Sequence, residues 1–346
     1  MASLASLYPE ADLFLHVCDE NVVREKLGKN FRGNIRTTFI SRLPGARKHY
    51  QKYLPLMPLA LEQLDLSEYD LVISSESGPA KGVITRPDAL HICYCHSPMR
   101  YLWDMYHQYL QNASRPVRWL FPFAAHWLRV WDRASADRVD HFVANSEFVA
   151  SRIRKFYRRE AEVIHPPVNT ESFTASEERE DFYLCLGQLV GYKRADLAVE
   201  AFNRLGLPLV VIGEGECMDD LRNRAKQNVK FLGRQPFDVV KDHLERCKAL
   251  IFPGIEDFGI VPVEAMAAGA PVIAIAKGGA LETVIDGETG ILFTKQSVES
   301  LVEAVKKLES GEIVFRADRL QSRARRFDAS IFQQSMRQFI DEKLDS

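Results

Sequence analysis

Short apolar runs alternate with stretches of helical periodicity along almost the whole chain. Twelve runs have the composition of buried strands, and they lie at residues 12–17, 34–39, 70–75, 89–95, 141–146, 161–165, 182–186, 209–213, 229–233, 249–253, 272–276 and 290–293. Strands that alternate with helices favour right-handed strand–helix–strand units and parallel sheets. The pattern therefore predicts an α/β protein.

The chain is too long for a single hydrophobic core. It has 346 residues, and the strand pattern restarts after Pro166-Pro167, where a polar and acidic stretch follows at 177–181. We therefore expect two Rossmann-like domains, at 1–166 and 167–330, with a linker that begins at the two prolines. Apolar residues at helical spacing within 331–346 predict a last helix.

Composition limits the classes of partner and compartment. The formal net charge is −2, which gives no electrostatic reason to expect a nucleic-acid partner. The six cysteines are scattered and mostly flanked by apolar residues, which indicates buried, reduced thiols in a cytoplasmic protein. We expect no membrane span, because no apolar run approaches the roughly 18 residues that a span needs, and no signal peptide, because the start of the chain lacks a basic region followed by an apolar one.

One strand–loop–helix unit in the second half carries two carboxylates. Glu256 lies in the loop after the strand at 249–253, and Glu264 lies in the helix predicted at 261–268. The turn between them, Phe258-Gly259-Ile260, would offer free amides and the positive end of a helix dipole to an anion. A phosphate bound there would leave the carboxylates to bind sugar hydroxyls. Acidic residues that only stabilise the start of a helix fit this segment equally well.

Two glycine-containing loops follow strands in the same half. Gly187 begins a loop that ends in adjacent cations, Lys193 and Arg194, at the start of a helix, where cations oppose the helix dipole unless an anion is bound. Gly213-Glu214-Gly215 follows the next strand, although such a turn is common in α/β proteins. The carboxyl ends of Rossmann strands meet at one edge of the sheet, so we expect these loops to bind a diphosphate there.

Taken together, the loops resemble those of the retaining glycosyltransferases of family 4. The resemblance covers roughly residues 85–340. The ordered set of matching residues is Gly187 with Lys193-Arg194, Gly213-Glu214-Gly215, Phe231-Leu232-Gly233, Glu256-x7-Glu264 within EDFGIVPVEAMAAGAPVIA, and Gly278-Gly279 with Glu282. The resemblance implies the GT-B fold, in which two Rossmann-like domains face a cleft. It also implies a donor site in the C-terminal domain, no cofactor and no metal, and a last helix at 331–346 that crosses back to the first domain.

The resemblance implies roles for individual residues. Lys193 and Arg194 would hold the donor diphosphate and stabilise charge on the leaving group. Glu256 would bind hydroxyls of the transferred sugar, Glu264 the ribose, and the backbone at 258–260 the distal phosphate. No Asp-x-Asp motif is present, which argues against a metal-bound diphosphate. The donor-binding set is Gly187, Glu214, Phe258, Gly259, Ile260 and Glu264.

A second resemblance lies in the first half. The segment from His96 to Tyr101 follows the strand at 89–95 and is similar to a segment of bacterial family members often assigned to mannose transfer in lipopolysaccharide assembly. It implies that His96 helps to position the donor sugar, that GDP-mannose is the favoured donor, and that the acceptor is a saccharide or a lipid-linked saccharide. From the residues alone, a structural histidine fits this position equally well. The catalytic set is His96, Lys193, Arg194 and Glu256.

The start of the chain departs from the family pattern. Family members begin with a strand and a glycine-containing loop, whereas residues 1–12 resemble the end of the following helix. We therefore expect the N-terminal domain to lack its first strand. That loss would expose a sheet edge and reduce activity and stability, with less effect on donor binding in the other domain.

The segment 115–138 combines aromatic residues with arginines. Trp119 and Phe123, for example, lie close to Arg115 and Arg118. Such a segment suits peripheral contact with an anionic membrane, on the inner face of the cytoplasmic membrane near a lipid-linked acceptor. It suits somewhat better an amphipathic helix that packs on its own sheet and leaves its arginines in water.

Other functions stay open on the sequence. A nucleotide-sugar epimerase of the same fold would share the donor, but it lacks the Glu256-x7-Glu264 pattern in this form. A nucleotide-sugar-binding protein without catalytic activity is favoured only by the expected missing strand. A dinucleotide dehydrogenase is disfavoured, because no G-x-G-x-x-G follows a strand with an acidic ribose partner about 20 residues later.

Overall fold

The computed structural model describes residues 2–345, apart from the side chain of Asn112. The chain divides into two units. Unit 1 holds residues up to 164 together with 333–345, and unit 2 holds residues 165–332. The strand pairs in the sheets of both units are parallel. The predicted α/β class with parallel sheets is therefore confirmed.

Unit 1 contains two separate sheets. Its strands are β1 (Leu13–Leu15), β2 (Ile35–Thr37), β3 (Leu71–Glu76), β4 (Leu90–Cys95), β5 (His141–Ala144) and β6 (Ala161–Val163). Its helices are α1 (Ala2–Ala5), α2 (Glu20–Leu27), α3 (Ala46–His49), α4 (Met57–Glu62), α5 (Tyr106–Asn112), α6 (Arg115–Ser135) and α7 (Glu147–Tyr157). Strands β3 to β6 lie side by side in chain order, whereas β1 pairs with β2. Among the described strands, β3 therefore has a neighbour on one side only, which agrees with the expected sheet edge.

A buried charge cluster joins β3 to α6. Lys81 is fully buried and contacts both Glu76, at 3.4 Å, and Asp132. Asp132 also accepts hydrogen bonds from the Tyr157 hydroxyl at 3.1 Å and from Trp103 Nε1 at 2.7 Å. Burial and the neighbouring Asp132 raise the pKa of Glu76 to about 7, although Lys81 opposes this shift. The cluster contains two carboxyl groups and only one ammonium group. Of the two carboxyl groups, Glu76 is the one that most easily takes up a proton and becomes neutral.

Unit 2 contains one six-stranded sheet. Its strands are β7 (Tyr183–Leu186), β8 (Leu209–Ile212), β9 (Val229–Gly233), β10 (Ala249–Phe252), β11 (Val272–Ile275) and β12 (Gly290–Phe293). Its helices are α8 (Ala195–Leu205), α9 (Met218–Arg224), α10 (Phe237–Arg246), α11 (Ile260–Ala267), α12 (Ala280–Thr283), α13 (Val298–Glu309) and α14 (Ala317–Arg325). The strand order is β12-β11-β10-β7-β8-β9. The chain thus proceeds outward from β7 to β9 and returns to the other side of β7 at β10.

Strands of unit 2 are apolar on both faces. On β11, Ile273 and Ile275 face a cluster that includes residues of α8 and α13, whereas Val272 and Ala274 face a cluster that includes residues of α10 and α11. Helices therefore cover both faces of the sheet. This burial explains why the strand sequences are almost continuously apolar and were recognisable as short runs.

The last helix, α15 (Ala329–Leu344), begins in unit 2 and continues in unit 1. Within unit 1, Gln333 Nε2 donates a hydrogen bond to Ser6 Oγ at 2.8 Å. The Phe339 ring meets the His141 ring edge-on, with centroids 6.1 Å apart. Neither this helix nor another within residues 2–345 is long and apolar enough to cross a membrane.

Two glycines let the loops after β7 and β8 approach closely. Gly187 follows β7 with φ 145°, and Gly213 follows β8 with φ 142°. A Cβ atom on Gly213 would lie 1.8 Å from the carbonyl oxygen of Gly187, so a larger residue would displace one of the two loops. The close approach fixes the start of the loop that carries Lys193.

We expect Lys81→Met to destabilise unit 1 by about 3–5 kcal/mol, because two carboxyl groups would stay buried without their cation. Glu76→Gln should cost much less, since it removes the carboxyl group that is most easily neutralised. All four tryptophans lie between residues 103 and 131, so urea unfolding followed by tryptophan fluorescence reports unit 1 alone. Equal losses of stability in the two variants would contradict this account of the cluster.

Gly213→Ala should destabilise unit 2 by about 1–3 kcal/mol, because the new methyl group would overlap the Gly187 backbone. Gly191→Ala is the matched control, since a Cβ there meets no atom within 4 Å and its φ is not positive. Hydrogen exchange of the β7 and β8 amides measures the effect within this unit. Unchanged protection in Gly213→Ala would show that the loops adjust without cost.

Candidate functional site

Two loops of unit 2 meet where the strand order reverses. Lys193 lies between β7 and α8, and Glu256 lies between β10 and α11. Their side chains form an ion pair, with Lys193 Nζ 2.9 Å from Glu256 Oε1. Each side chain keeps part of its surface exposed, 20% for Lys193 and 21% for Glu256. The structure thus brings together two residues that the sequence predicts for one site.

The backbones of these loops are in direct contact. A Cβ atom on Gly254 would lie 2.7 Å from Lys193 Cα, and one on Gly279 would lie 2.2 Å from the carbonyl oxygen of Phe258. The Gly279 amide also donates to the Glu256 carbonyl at 2.9 Å. The loop after β11 therefore supports the loop that carries Glu256, and that loop supports Lys193.

A concave surface lies beside the Lys193–Glu256 pair. The ends of β7 and β10 and the loops after them form much of its lining, which includes Gly187, Gln188, Lys193, Pro253, Gly254 and Glu256. Gly187 therefore lies at the predicted site. The side chain of Glu214 is exposed, and the carbonyl of this residue accepts a hydrogen bond from the Leu189 amide at 2.9 Å. Glu214 thus helps to hold the loop after β7 through its backbone.

Arg194 has a carboxylate partner that the sequence reasoning missed. Its backbone is left-handed, with φ 56°, and it directly precedes α8. Its guanidinium makes a two-pronged ion pair with Asp196, with Nε–Oδ1 at 2.9 Å and Nη2–Oδ2 at 3.0 Å. Asp196 lies only two residues further along the chain, so its proximity was readable from the sequence. An anion bound by Arg194 would share the guanidinium with this carboxylate.

The start of α11 is suited to an anion. Gly259 precedes the helix with φ 87°, and as a glycine it offers no side chain to cap the first turn. The first amides of a helix have no carbonyl partner within the helix, and the helix dipole adds positive potential at the same place. Gly259 and Ile260 therefore occupy the helix start that the sequence predicts for phosphate binding.

Glu264 lies in the second turn of α11 and is half-buried. Burial raises the pKa of its carboxyl group above the ordinary value. Hydrogen bonds donated to the carboxylate would stabilise its charged form in these surroundings, and hydroxyl groups of a ligand could donate them.

Aromatic rings fix the position of Phe258. Its buried ring stacks on His165, with centroids 5.3 Å apart, and meets Phe327 edge-on at 5.4 Å. His165 Nδ1 also lies 3.9 Å from Glu282 Oε2. These contacts have no signal in the sequence, because His165 and Phe327 are distant from Phe258 along the chain. Since the Phe258 ring is buried, its backbone is the part that a ligand could contact.

His96 lies directly after β4 in unit 1, at the carboxyl end of that strand. Its Nε2 lies 3.0 Å from Ser75 Oγ, and its backbone amide donates to the Glu76 carbonyl at 2.6 Å. The ring also meets Tyr94 edge-on, with centroids 5.2 Å apart. These contacts orient the imidazole from the neighbouring strand β3.

The segment after His96 is held by contacts from two helices. Arg152 on α7 donates to Asp104 Oδ2 at 2.7 Å and to Ser97 Oγ at 3.2 Å. Arg129 on α6 donates to the Leu102 carbonyl at 2.6 Å. The segment that the sequence singles out is therefore anchored at both ends.

Two family models match the chain in succession. Residues 9–172 match the model described as Glycosyltransferase Family 4, and residues 169–327 match the model described as Glycosyl transferases group 1. Lys193, Glu256 and Glu264 lie within the second match. The two models together account for most of both units.

Curated relatives carry related names. MJ1178 of Methanocaldococcus jannaschii, named an uncharacterized glycosyltransferase, is 32% identical over 178 residues, which make up 50% of each chain. A GDP-mannose-dependent alpha-(1-6)-phosphatidylinositol monomannoside mannosyltransferase of Mycobacterium tuberculosis is 30% identical over 208 residues, or 51% of this chain and 54% of that protein. The chain thus spans about half the length of these relatives.

The fold matches a solved structure over almost its whole length. The crystal structure of Anabaena Alr3699/HepE in complex with UDP is similar to this chain with a TM-score of 0.71 and 17% identity, over 99% of this chain and 94% of that chain. At this identity, the likeness establishes the fold, which is the GT-B fold with its two α/β domains. Because both units also match glycosyltransferase family models, the protein belongs to the glycosyltransferases of the GT-B fold.

Proposed function

We propose that the protein is a retaining glycosyltransferase that moves a hexose from a nucleotide-diphosphate sugar to a saccharide or lipid-linked acceptor. The observation that carries this proposal is the meeting of Lys193 and Glu256 at the strand reversal of unit 2. Ligands of parallel α/β sheets bind at such reversals. The site offers a cation for phosphate, a carboxylate for sugar hydroxyls and the amides at the start of α11.

In the proposed reaction, the bond between the anomeric carbon and the donor diphosphate breaks. The acceptor oxygen bonds to the same face of that carbon, and its proton passes to the leaving phosphate oxygen. Lys193, Arg194 and the backbone at 258–260 stabilise the negative charge that develops on the diphosphate. This arrangement requires neither a separate base nor a metal ion.

The other predicted residues bind and position the donor in this proposal. Glu256 accepts hydrogen bonds from the transferred sugar, and Glu264 accepts them from the ribose. Gly187 and Glu214 shape the loops around the donor through their backbones. His96, which Ser75 orients at 3.0 Å, positions the sugar from unit 1.

GDP-mannose is the donor that we favour. The similarity to the GDP-mannose-dependent mycobacterial mannosyltransferase supports it, as does the resemblance of the segment that begins at His96. A structure of the same fold contains UDP, which makes UDP-glucose the rival donor. The acceptor would be a saccharide or lipid-linked saccharide of lipopolysaccharide assembly, reached from the cytoplasmic side. The unpaired state of all six cysteines supports this compartment.

A nucleotide-sugar-binding protein without catalytic activity is the second candidate. The interrupted strand pairing of unit 1 favours it, because His96 and its supporting strand β3 lie next to that interruption. Both candidates require donor binding in unit 2, and only the first requires turnover. An epimerase of this fold would release an altered sugar without an acceptor.

Donor binding should depend on Glu264. Calorimetric titration of GDP, UDP, GDP-mannose and UDP-glucose, without divalent metal, should show tight binding either of the guanine nucleotides or of the uracil nucleotides. Glu264→Ala should weaken it by about 1.5–3 kcal/mol, or roughly 10- to 150-fold, because a charged hydrogen-bond acceptor is lost. Glu303→Ala, on the exposed side of α13, is the matched control. No binding by the folded wild-type protein would overturn the proposed function.

Turnover should depend on Lys193. Lys193→Ala should lower the turnover number by about 10²–10³-fold, because the charge on the leaving diphosphate loses its nearest ammonium group. Release of GDP from GDP-mannose, with and without saccharide acceptors, measures this rate. Lys230→Ala, which removes an exposed lysine on β9, should leave it unchanged. Donor binding by the wild-type protein without turnover under any condition would favour the second candidate.

A further inference from the structure

Helix α6 presents an apolar face to solvent. Trp119 is 80% exposed and Phe123 is 76% exposed, which is unusual for large aromatic side chains. They belong to a set of exposed residues, most of which recur every three or four positions and so share one face of the helix. This aromatic stripe consists of Trp119, Leu120, Phe123, Trp127 and Val130.

A different face of α6 is firmly packed. Ala125, Leu128 and Trp131 belong to a buried apolar cluster of unit 1, and Asp132 lies in the buried charge cluster beside Lys81. The helix is therefore anchored, and the aromatic stripe is an additional surface. Of the two alternatives for 115–138, packing on the domain accounts for the buried face and leaves the stripe unexplained.

The surroundings of the stripe are basic. Between Asp104 and Asp132 the sequence contains no acidic residue, and Arg115 and Arg118 are exposed in the first turn of α6. A second acid-free stretch, which we call the basic segment, covers residues 26–61. It contains eight Lys or Arg residues and no Asp or Glu.

The basic segment adjoins α6. Leu54 and Leu61 pack in the same apolar cluster as Leu128 of that helix. Directly after the segment, Glu62 accepts a hydrogen bond from Trp131 Nε1 at 2.8 Å. The segment also exposes apolar and basic side chains together, namely Arg42, Arg47, Lys48, Tyr50, Lys52, Leu56 and Leu59.

We propose that the aromatic stripe and the basic segment form a surface of unit 1 that binds membranes containing anionic lipids. Indole and phenyl side chains partition into the headgroup region, and adjacent cations are attracted to anionic headgroups. A second copy of this chain fits less well, because a symmetric contact would place the arginines of one copy against those of the other. The surface is independent of the donor site in unit 2.

Vesicle binding tests the surface directly. Wild-type protein should sediment with vesicles of phosphatidylcholine mixed with phosphatidylglycerol, and much less with phosphatidylcholine alone. Arg115→Gln combined with Arg118→Gln should bind the anionic vesicles roughly 30-fold more weakly, given the usual contribution of each basic residue at a membrane surface. Trp119→Ser combined with Phe123→Ser should lose binding and the blue shift of tryptophan fluorescence on vesicle addition.

The controls separate this proposal from loss of folding and from the proposed function. Val314→Ser, which changes a largely exposed apolar residue of unit 2, should bind vesicles like the wild type. All variants should retain the urea unfolding midpoint, because the substituted side chains are exposed.

Absence of wild-type binding to anionic vesicles would overturn the proposal. So would stripe-dependent dimers in solution without vesicle binding. Vesicle binding without donor binding would leave this proposal standing and reject the proposed function.

Discussion

The reversal of strand order between β7 and β10 is the constraint on which the candidate site depends. In a parallel sheet, the helices that follow two neighbouring strands usually pack on the same face. Where the strand order reverses, the helices that follow the two adjacent strands pack on opposite faces, and a crevice opens between the loops at the carboxyl ends of those strands. The loops after β7 and β10 border this crevice in unit 2. Lys193 and Glu256 occupy these two loops, and their 2.9 Å ion pair connects the two sides. The chemistry proposed for the protein follows from that placement.

Backbone packing gives the crevice its shape. Gly213 fits against Gly187, and Gly254 fits against Lys193, at distances that leave no room for a Cβ atom. The ring of Phe258 is held between His165 and Phe327, which come from the two ends of unit 2 in the sequence. The site therefore depends on contacts that span nearly the whole unit, although only a few side chains face the crevice.

The sequence predicted much of the fold because the strands are buried on both faces. Each of the twelve runs coincides with an observed strand to within one or two residues at the ends in most cases, and the helix start at Ile260 lies one residue from its predicted position. Lys193 and Glu256 were placed in one site because both follow strands that share a sheet edge. The buried cluster of Lys81, Glu76 and Asp132 was not predicted, since Lys81 and Asp132 lie 51 residues apart and neither has a local signal. His165 and Arg152 were missed for the same reason.

The ion pair between Lys193 and Glu256 has a consequence for which molecules the site retains. A diphosphate that binds Lys193 competes with Glu256 for the same ammonium group, so the carboxylate must exchange its partner. A nucleotide sugar brings hydroxyl groups that compensate the released carboxylate, whereas the nucleoside diphosphate left after transfer brings none there. In the proposed function, Glu256 competes with the spent nucleotide for Lys193, and restoration of the ion pair compensates the ammonium group when that nucleotide departs.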